Sequence, residues 1–382
     1  MNILLALGLL LAPSQQLDLS VGPKVLGDQA HVYVTPGYHL HYPSIKLAVQ
    51  APIRIRLVDS RLRASDLDSI SDYGRIIRYV QIADGLQIGA MANVSDEHHL
   101  ILDHYFNQID DDRHRTAMLI QAQSSDVKGT FFVDQVLGRP VVGLLATMTP
   151  TRRLRLYLAS AADTARITPT SQKDGSLYGA ASLTSSYAIV QDKRFKIDTY
   201  ASIAQTHSYG TGAHLGLETQ WKHLWGWRLR LRSEGMVFTD GYNWAPFDLL
   251  YLIRRQRVTA NHEGAKRRGF GGRLQITMAR QSIEFGAETS GAIGSPQQTN
   301  TFWIELPKKP FHLFAVIHAG RHTLRTHPFD NENISAALSA QLHLSATWMI
   351  ETTMTHVQRD NGNGYRGFLE AGIFTNWRLT FQ

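Results

Sequence analysis

Residues 227–233 read Trp227-Arg228-Leu229-Arg230-Leu231-Arg232-Ser233. Three arginines alternate with a tryptophan and two leucines. In an extended strand successive side chains point to opposite faces, so this pattern puts Arg228, Arg230 and Arg232 on one face and Trp227, Leu229 and Leu231 on the other. A helix would scatter both sets round its circumference. A strand with a cationic face and a bulky apolar face meets two solvents, water on one side and lipid or a core on the other.

The same period-two pattern recurs along the chain. Ile45-Lys46-Leu47-Ala48-Val49 and Ile53-Arg54-Ile55-Arg56-Leu57 place aliphatic groups at odd positions and mostly cations between them. Leu154-Arg155-Leu156-Tyr157-Leu158 repeats it, with Arg153 extending the polar face, and Ile334 through Leu344 alternates small or polar groups with aliphatic ones. Phe311-His312-Leu313, Ile317-His318-Ala319 and Arg273 through Met278 behave alike. Turn-forming runs at 126–129, 191–193, 206–210 and 360–364 separate these segments. The spacing predicts an all-β chain, an antiparallel transmembrane β-barrel of about 16–18 strands of ~10 residues each. Three stretches interrupt the meander: 59–74 and 95–115 read as polar loops, and 240–266 as a strand pair with a long loop or a loop with a short helix.

Composition narrows the class. The 382 residues carry 39 Lys and Arg against 32 Asp and Glu, contain no cysteine and are 43% hydrophobic, with a mean hydropathy of -0.20. After residue 12 no run approaches the roughly 18 apolar residues that a membrane helix needs, so a chain that spans a membrane does so with strands. Absence of cysteine removes disulfides, thiolate metal sites and a lipidated N-terminal cysteine. The opening Met1 to Ser14 has the short apolar core of a secretory signal followed by small residues, Ala12 and Ser14, although no Lys or Arg precedes the core. The expected organisation is a signal peptide over 1–16 and one outer-membrane barrel over 17–382.

The chain ends Ile373-Phe374-Thr375-Asn376-Trp377-Arg378-Leu379-Thr380-Phe381-Gln382, with Ile373, Trp377, Leu379 and Phe381 on one face. This segment resembles the C-terminal recognition strand of Gram-negative outer-membrane β-barrels, in which alternating apolar residues finish in an aromatic read by the barrel-assembly machinery. The resemblance implies an assembly signal at Trp377, Leu379 and Phe381; Gln382 after the aromatic departs from the commonest form. Signal, meander and closing strand together look like a porin-like barrel, and in size the chain is similar to barrels of polysaccharide-export and gliding envelope complexes. A secreted β-sandwich or lectin alternates equally well. Against it, Trp221, Trp225, Trp227, Trp244, Trp303, Trp348 and Trp377 fall mostly near strand ends, where an interfacial girdle would stand.

If the aliphatic faces meet lipid, the cations Lys46, Arg54, Arg56, Arg153, Arg155, Lys196, Arg228, Arg230, Arg232 and Arg273 face the lumen. Each would otherwise cost about 2–4 kcal/mol at the bilayer midplane. A lumen lined this way favours anionic solutes or acidic polymers, unless Asp and Glu from other strands neutralise it. The segment Asp96-Glu97-His98-His99 to Tyr105, with Asp110-Asp111-Asp112-Arg113-His114, has metal-ligand residue types, but adjacent histidines on a strand diverge. It reads as a loop folded into the pore as a constriction. His207-Ser208, His214, Ser290 and His356 lack a nucleophile motif, so no catalytic site is expected. No phosphate-cradling motif is present, and no cofactor or metal is expected. The Arg254-Arg255-Gln256-Arg257 and Lys266-Arg267-Arg268 clusters suit lipopolysaccharide better than nucleic acid in an exported chain. Expected partners are outer-membrane lipid and lipopolysaccharide, the assembly machinery, and periplasmic envelope-complex proteins or further copies of the chain. The function expected is a porin-like channel with a basic lumen that passes or binds anionic solutes. The alternative is a non-enzymatic barrel component of a polysaccharide-export or motility and adhesion complex.

Overall fold

The computed structural model describes residues 14–26, 29–42, 44–59, 76–82, 85–89, 94, 95, 98, 100–103, 105, 116–138, 140–164, 178–206, 210–224, 226–242, 247, 248, 268–280, 283–292, 298–308, 310–320, 334–360 and 365–381. These form strands in the order β1 (Ser14–Leu26), β2 (Gln29–His41), β3 (Ile45–Gln50), β4 (Ile53–Arg56), β5 (Ile77–Ile82), β6 (Leu86–Gly89), β7 (Leu102–Asp103) and β8 (Ala117–Gln123). There follow β9 (Val127–Val133), β10 (Val141–Met148), β11 (Leu154–Asp163), β12 (Tyr178–Gln191), β13 (Phe195–Thr206), β14 (Gly210–Leu224), β15 (Trp227–Phe238) and β16 (Phe247–Asp248). The last third holds β17 (Gly269–Arg280), β18 (Ile283–Ala292), β19 (Gln298–Lys308), β20 (Phe311–Gly320), β21 (Ile334–His343), β22 (Trp348–Asp360) and β23 (Tyr365–Phe381).

Neighbours in sequence pair antiparallel all the way round, and β23 returns to β1 with Leu17 opposite Leu379 and Leu19 opposite Trp377. Both β3 and β4 pair with β2, so they are halves of one stave interrupted at Ala51 and Pro52. The result is a closed barrel of 20 staves. Closure of β23 on β1 leaves no terminal edge strand, which is what a sheet in hydrocarbon requires. β7 and β16 stand apart as a short parallel bridge, Leu102 opposite Phe247.

The fold class agrees with the alternation, while the count exceeds the 16–18 expected. The difference arises at the N-terminal end. Gly22, Pro23, Pro36 and Gly37 interrupt the propensity signal of β1 and β2, and β5 and β6 are only six and four residues long. β1 begins at Ser14, so Ser14 to Gln16, assigned above to the signal, are paired with β2.

Alternation sorts the two faces. Leu183, Ile203 and Leu215 are 59%, 62% and 67% exposed, whereas Thr184, Ser202 and His214, one residue away in each strand, are buried. Leu217, Phe270, Leu274 and Ile276 continue the exposed apolar belt. So wide an apolar exterior on a closed sheet is the surface of a membrane protein. Among the described residues no helix is long and apolar enough to cross a membrane, and the crossing is made by strands. The chain is a transmembrane β-barrel.

Connections on the side of both termini are short, as at 42–44, 124–126, 192–194, 281–282 and 344–347, while 57–76, 90–116, 164–177, 239–268 and 321–333 link strands on the other side. Short turns mark the periplasmic end of such barrels and long loops the outer end. By the alternation of their strands, Trp221, Trp227, Trp348 and Trp377 stand on the outer face at the short-turn end, with Phe195 5.4 Å from Trp221 and Phe285 5.6 Å from Trp227 between ring centroids. They form the girdle expected at that interface. Trp303 is the exception. It turns inward over Gly286, where a Cβ would lie 2.1 Å from the indole, and its Nε1 donates to Glu284 Oε1 at 3.4 Å. Trp225 and Trp244 lie outside the described residues.

Candidate functional site: the lumen and its inner strap

The inner face carries the polar residues, among them those of the wall made by β13, β14 and β15. Arg232 and Glu234 sit two apart on one strand and therefore share a face. The Glu234 carboxylate accepts from Arg232 Nη2 at 3.0 Å, from the Tyr200 hydroxyl, and from His214 Nδ1 at 2.7 Å. Arg232 Nε donates to the same Tyr200 oxygen at 2.7 Å. Because a carboxylate only accepts, Nδ1 of His214 carries the proton, and Nε2 can accept from the Tyr242 hydroxyl at 2.6 Å. Tyr200, Arg232 and Tyr242 are at most 1% exposed. Gly216 makes this packing possible, since a Cβ there would fall 2.1 Å from Cζ of Tyr200.

A strap formed by described residues between 94 and 105 lies against this wall. Leu100, Ile101, Leu102 and Tyr105 are buried in one apolar cluster with Phe132, Val141, Ala159, Ala161 and Ala204. The strap is pinned at three points. Tyr105 Oη donates to Asp134 Oδ2 at 2.6 Å. The His98 ring stacks on Tyr200 at 4.2 Å and meets Tyr157 edge-on at 5.1 Å. Arg273 Nη1 reaches the His98 carbonyl at 3.5 Å, while its Nη2 donates to Glu288 Oε2 at 2.8 Å. Alanines at 159, 161, 180 and 204 line the wall here because the strap fills the space that larger side chains would occupy. Asp96, Glu97, His99, His104 and Asp110 to His114 lie outside the described residues.

The lumen candidates separate into two groups. By strand alternation Arg230, Arg232, Lys196 and Arg273 all stand on the inner face, each beside an acid: Glu218 at 2.6 Å from Arg230 Nη2, Glu234, Asp198 and Glu288 respectively. Arg155 is half-buried on the same face of β11 as Tyr157, while Arg153 and Arg228 are exposed near the short turns. The second group belongs to the opposite wall. Arg54 is buried on β4, with its guanidinium carbon 5.3 Å from the Tyr33 ring centroid. Lys24 Nζ lies 5.6 Å from the same centroid, and His31 and Arg78 are buried nearby in the sheet. Arg56 pairs with Asp59 beyond the strand end, and Lys46 is exposed towards the short-turn end of β3. Lys24, His31 and Arg78 were not singled out in the sequence; the signal was their alternation with Val25, Val32 and Ile77. The Glu234 network was missed too, although Arg232 and Glu234 share a face by spacing.

In the closing strand Trp377 and Leu379 face outward and are 43% and 57% exposed, and Phe381 ends the strand opposite Gln15. Of the histidine and serine candidates, His214 is held by Glu234 and Tyr242, Ser290 is buried on the inner face, and His356 stands on β22. His207, Ser208, the 254–257 cluster, Lys266 and Arg267 lie outside the described residues.

No protein-family model matches the chain, and no curated protein matches it in sequence. Solved structures similar to it include Pseudomonas aeruginosa OccK3 (OpdO), at 9% identity and TM-score 0.42 over 100% of both chains. P. aeruginosa OpdK, solved with vanillate, matches at 9% identity and TM-score 0.39 over 97% of this chain and 99% of its own. Acinetobacter baumannii OccAB3 matches at 8% and 0.39 over 97% and 99%. At such identities and TM-scores these likenesses decide nothing about solute or mechanism.

Proposed function

We propose that the protein is a porin-like channel, without catalytic activity, whose interior passes or binds small anionic solutes along the wall formed by β1, β2, β4 and β5. One observation supports this reading above the others. Lys24 and Arg54, with His31, stand round the Tyr33 ring on one inner wall, and Arg78 is buried on β5 of the same wall. In a polar lumen a cluster of cations raises the local concentration of anions.

The strap supports a second reading. It covers the wall from β8 to β15 with packed apolar groups, and a barrel obstructed in this way would serve as a partner-gated component of an envelope complex. Reversal potentials of the refolded protein in planar bilayers separate the readings. Anion-selective openings that lose selectivity in Arg54→Gln support the channel; cation selectivity rules out the anionic solute, and a folded, electrically silent barrel supports the envelope component.

A further inference from the structure

The periplasmic mouth of the lumen holds a cavity of about 360 Å³ where β1, β2, β21, β22 and β23 converge. It is separate from the strap and adjoins the Tyr33 wall at Lys24, and its lining balances two carboxylates, Asp18 and Glu351, against Lys24 and Arg378. Asp18 accepts from Gln16 Nε2 at 2.9 and 3.0 Å, from His39 Nε2 at 2.9 Å and from Arg378 Nε at 3.2 Å. Glu351 accepts from Gln341 Nε2 at 3.3 Å and from Asn376 Nδ2 at 3.2 Å. These bonds fix the amide orientations. With their nitrogens committed to Glu351, Gln341 and Asn376 offer carbonyl oxygens as acceptors, and Arg378, bonded through Nε, keeps its two Nη groups as donors.

We infer that this cavity is a binding site for a neutral polyhydroxylated solute of monosaccharide to disaccharide size. A hydroxyl both donates and accepts, so it suits a lining in which fixed acceptors and donors alternate. A small anion would meet two carboxylates, Asp18 and Glu351, within the same pocket. A bare apolar solute would leave the amides and the arginine unpaired at a cost. Rigid side chains held by one another bind with less ordering entropy than mobile ones. The volume falls within the range of small-ligand pockets, about 300–1,000 Å³, and exceeds the space of one hexose ring.

The site is tested with the full chain refolded in lipid, using glucose and maltose as neutral probes, gluconate as an anionic one and titration calorimetry as the readout. Both sugars are expected to bind, with affinity weakened about five- to tenfold in Asn376→Ala and in Gln341→Ala, the loss of one hydrogen bond to a pre-set acceptor. Heat-modifiable migration confirms that each variant is folded, and Glu351→Gln serves as an isosteric third variant. Absence of sugar binding to the folded wild type overturns the inference, as do equal affinities in wild type and all three variants. Competition in which gluconate displaces the sugars more strongly than they displace it assigns the cavity to anions and overturns it too. Ion selectivity of Arg54→Gln, at a residue outside this cavity, reports separately on the Tyr33 wall, so the failure of one reading is distinguishable from that of the other.

Discussion

Removal of the Glu234 carboxylate should be the most damaging single truncation in the β13–β15 wall. The group is 1% exposed at its side chain and accepts from Arg232, Tyr200 and His214. Glu234→Ala strands the Arg232 guanidinium, whose side chain is fully buried, with only the Tyr200 oxygen at 2.7 Å as a partner. Breaking a buried ion pair from one side costs about 3–5 kcal/mol, because the remaining charge stays desolvated. At 1.4 kcal/mol per tenfold, that corresponds to a change of roughly 10² to 10³ or more in the folding equilibrium. Arg232→Met on its own should cost about as much, whereas Arg232→Met with Glu234→Leu should cost clearly less than the two single changes added together. Urea titration of the barrel in lipid vesicles, followed by tryptophan fluorescence and gel mobility, measures all three. Ser233→Ala, on the exposed outer face next door, is the control. If Glu234→Ala falls within about 0.5 kcal/mol of that control, or if the double variant is additive, the carboxylate is solvated and the reasoning is wrong.

Other outcomes follow from the same geometry. Tyr105→Phe removes the bond to Asp134 and should raise single-channel conductance by loosening the strap, at a stability cost of about 1–3 kcal/mol; unchanged conductance with that cost would leave the strap structural only. Gly216→Val places a branched side chain where Tyr200 stands, so urea midpoints should fall by the equivalent of about 1–3 kcal/mol, and Tyr200→Ala in the same chain should restore part of the loss. Leu217→Arg, on the lipid face of β14, should destabilise the inserted barrel by about 2–4 kcal/mol, while Thr184→Arg, on the inner face, should not carry that lipid penalty; equal effects of membrane thickness on both variants would contradict the assignment of faces. Arg54→Gln should lower anion selectivity more than Arg230→Gln, since Arg54 stands in the cationic cluster at Tyr33 and Arg230 beside Glu218; the reverse order in reversal potential would place the selective wall elsewhere.

The sequence by itself determined the class of fold and which face of most strands meets lipid. Period two is a property of the extended backbone, so Trp227 to Ser233 or Leu154 to Leu158 declares both faces without reference to any neighbour. The same rule set the outward position of Trp377 and Leu379. Tertiary structure decided how the inner residues meet. Strand alternation says that Arg232 points inward, but not that Tyr200 and His214, from two other strands, converge with it on Glu234, because register between strands is fixed by closure of the whole barrel. Nor does it say that His98, 102 residues before Tyr200, stacks on that ring. The short staves β5 and β6 and the proline-bearing β1 and β2 carry too little local pattern to be counted with certainty from sequence. They are strands because a closed sheet supplies partners on both sides, and a ladder satisfied on both sides outweighs weak local propensity.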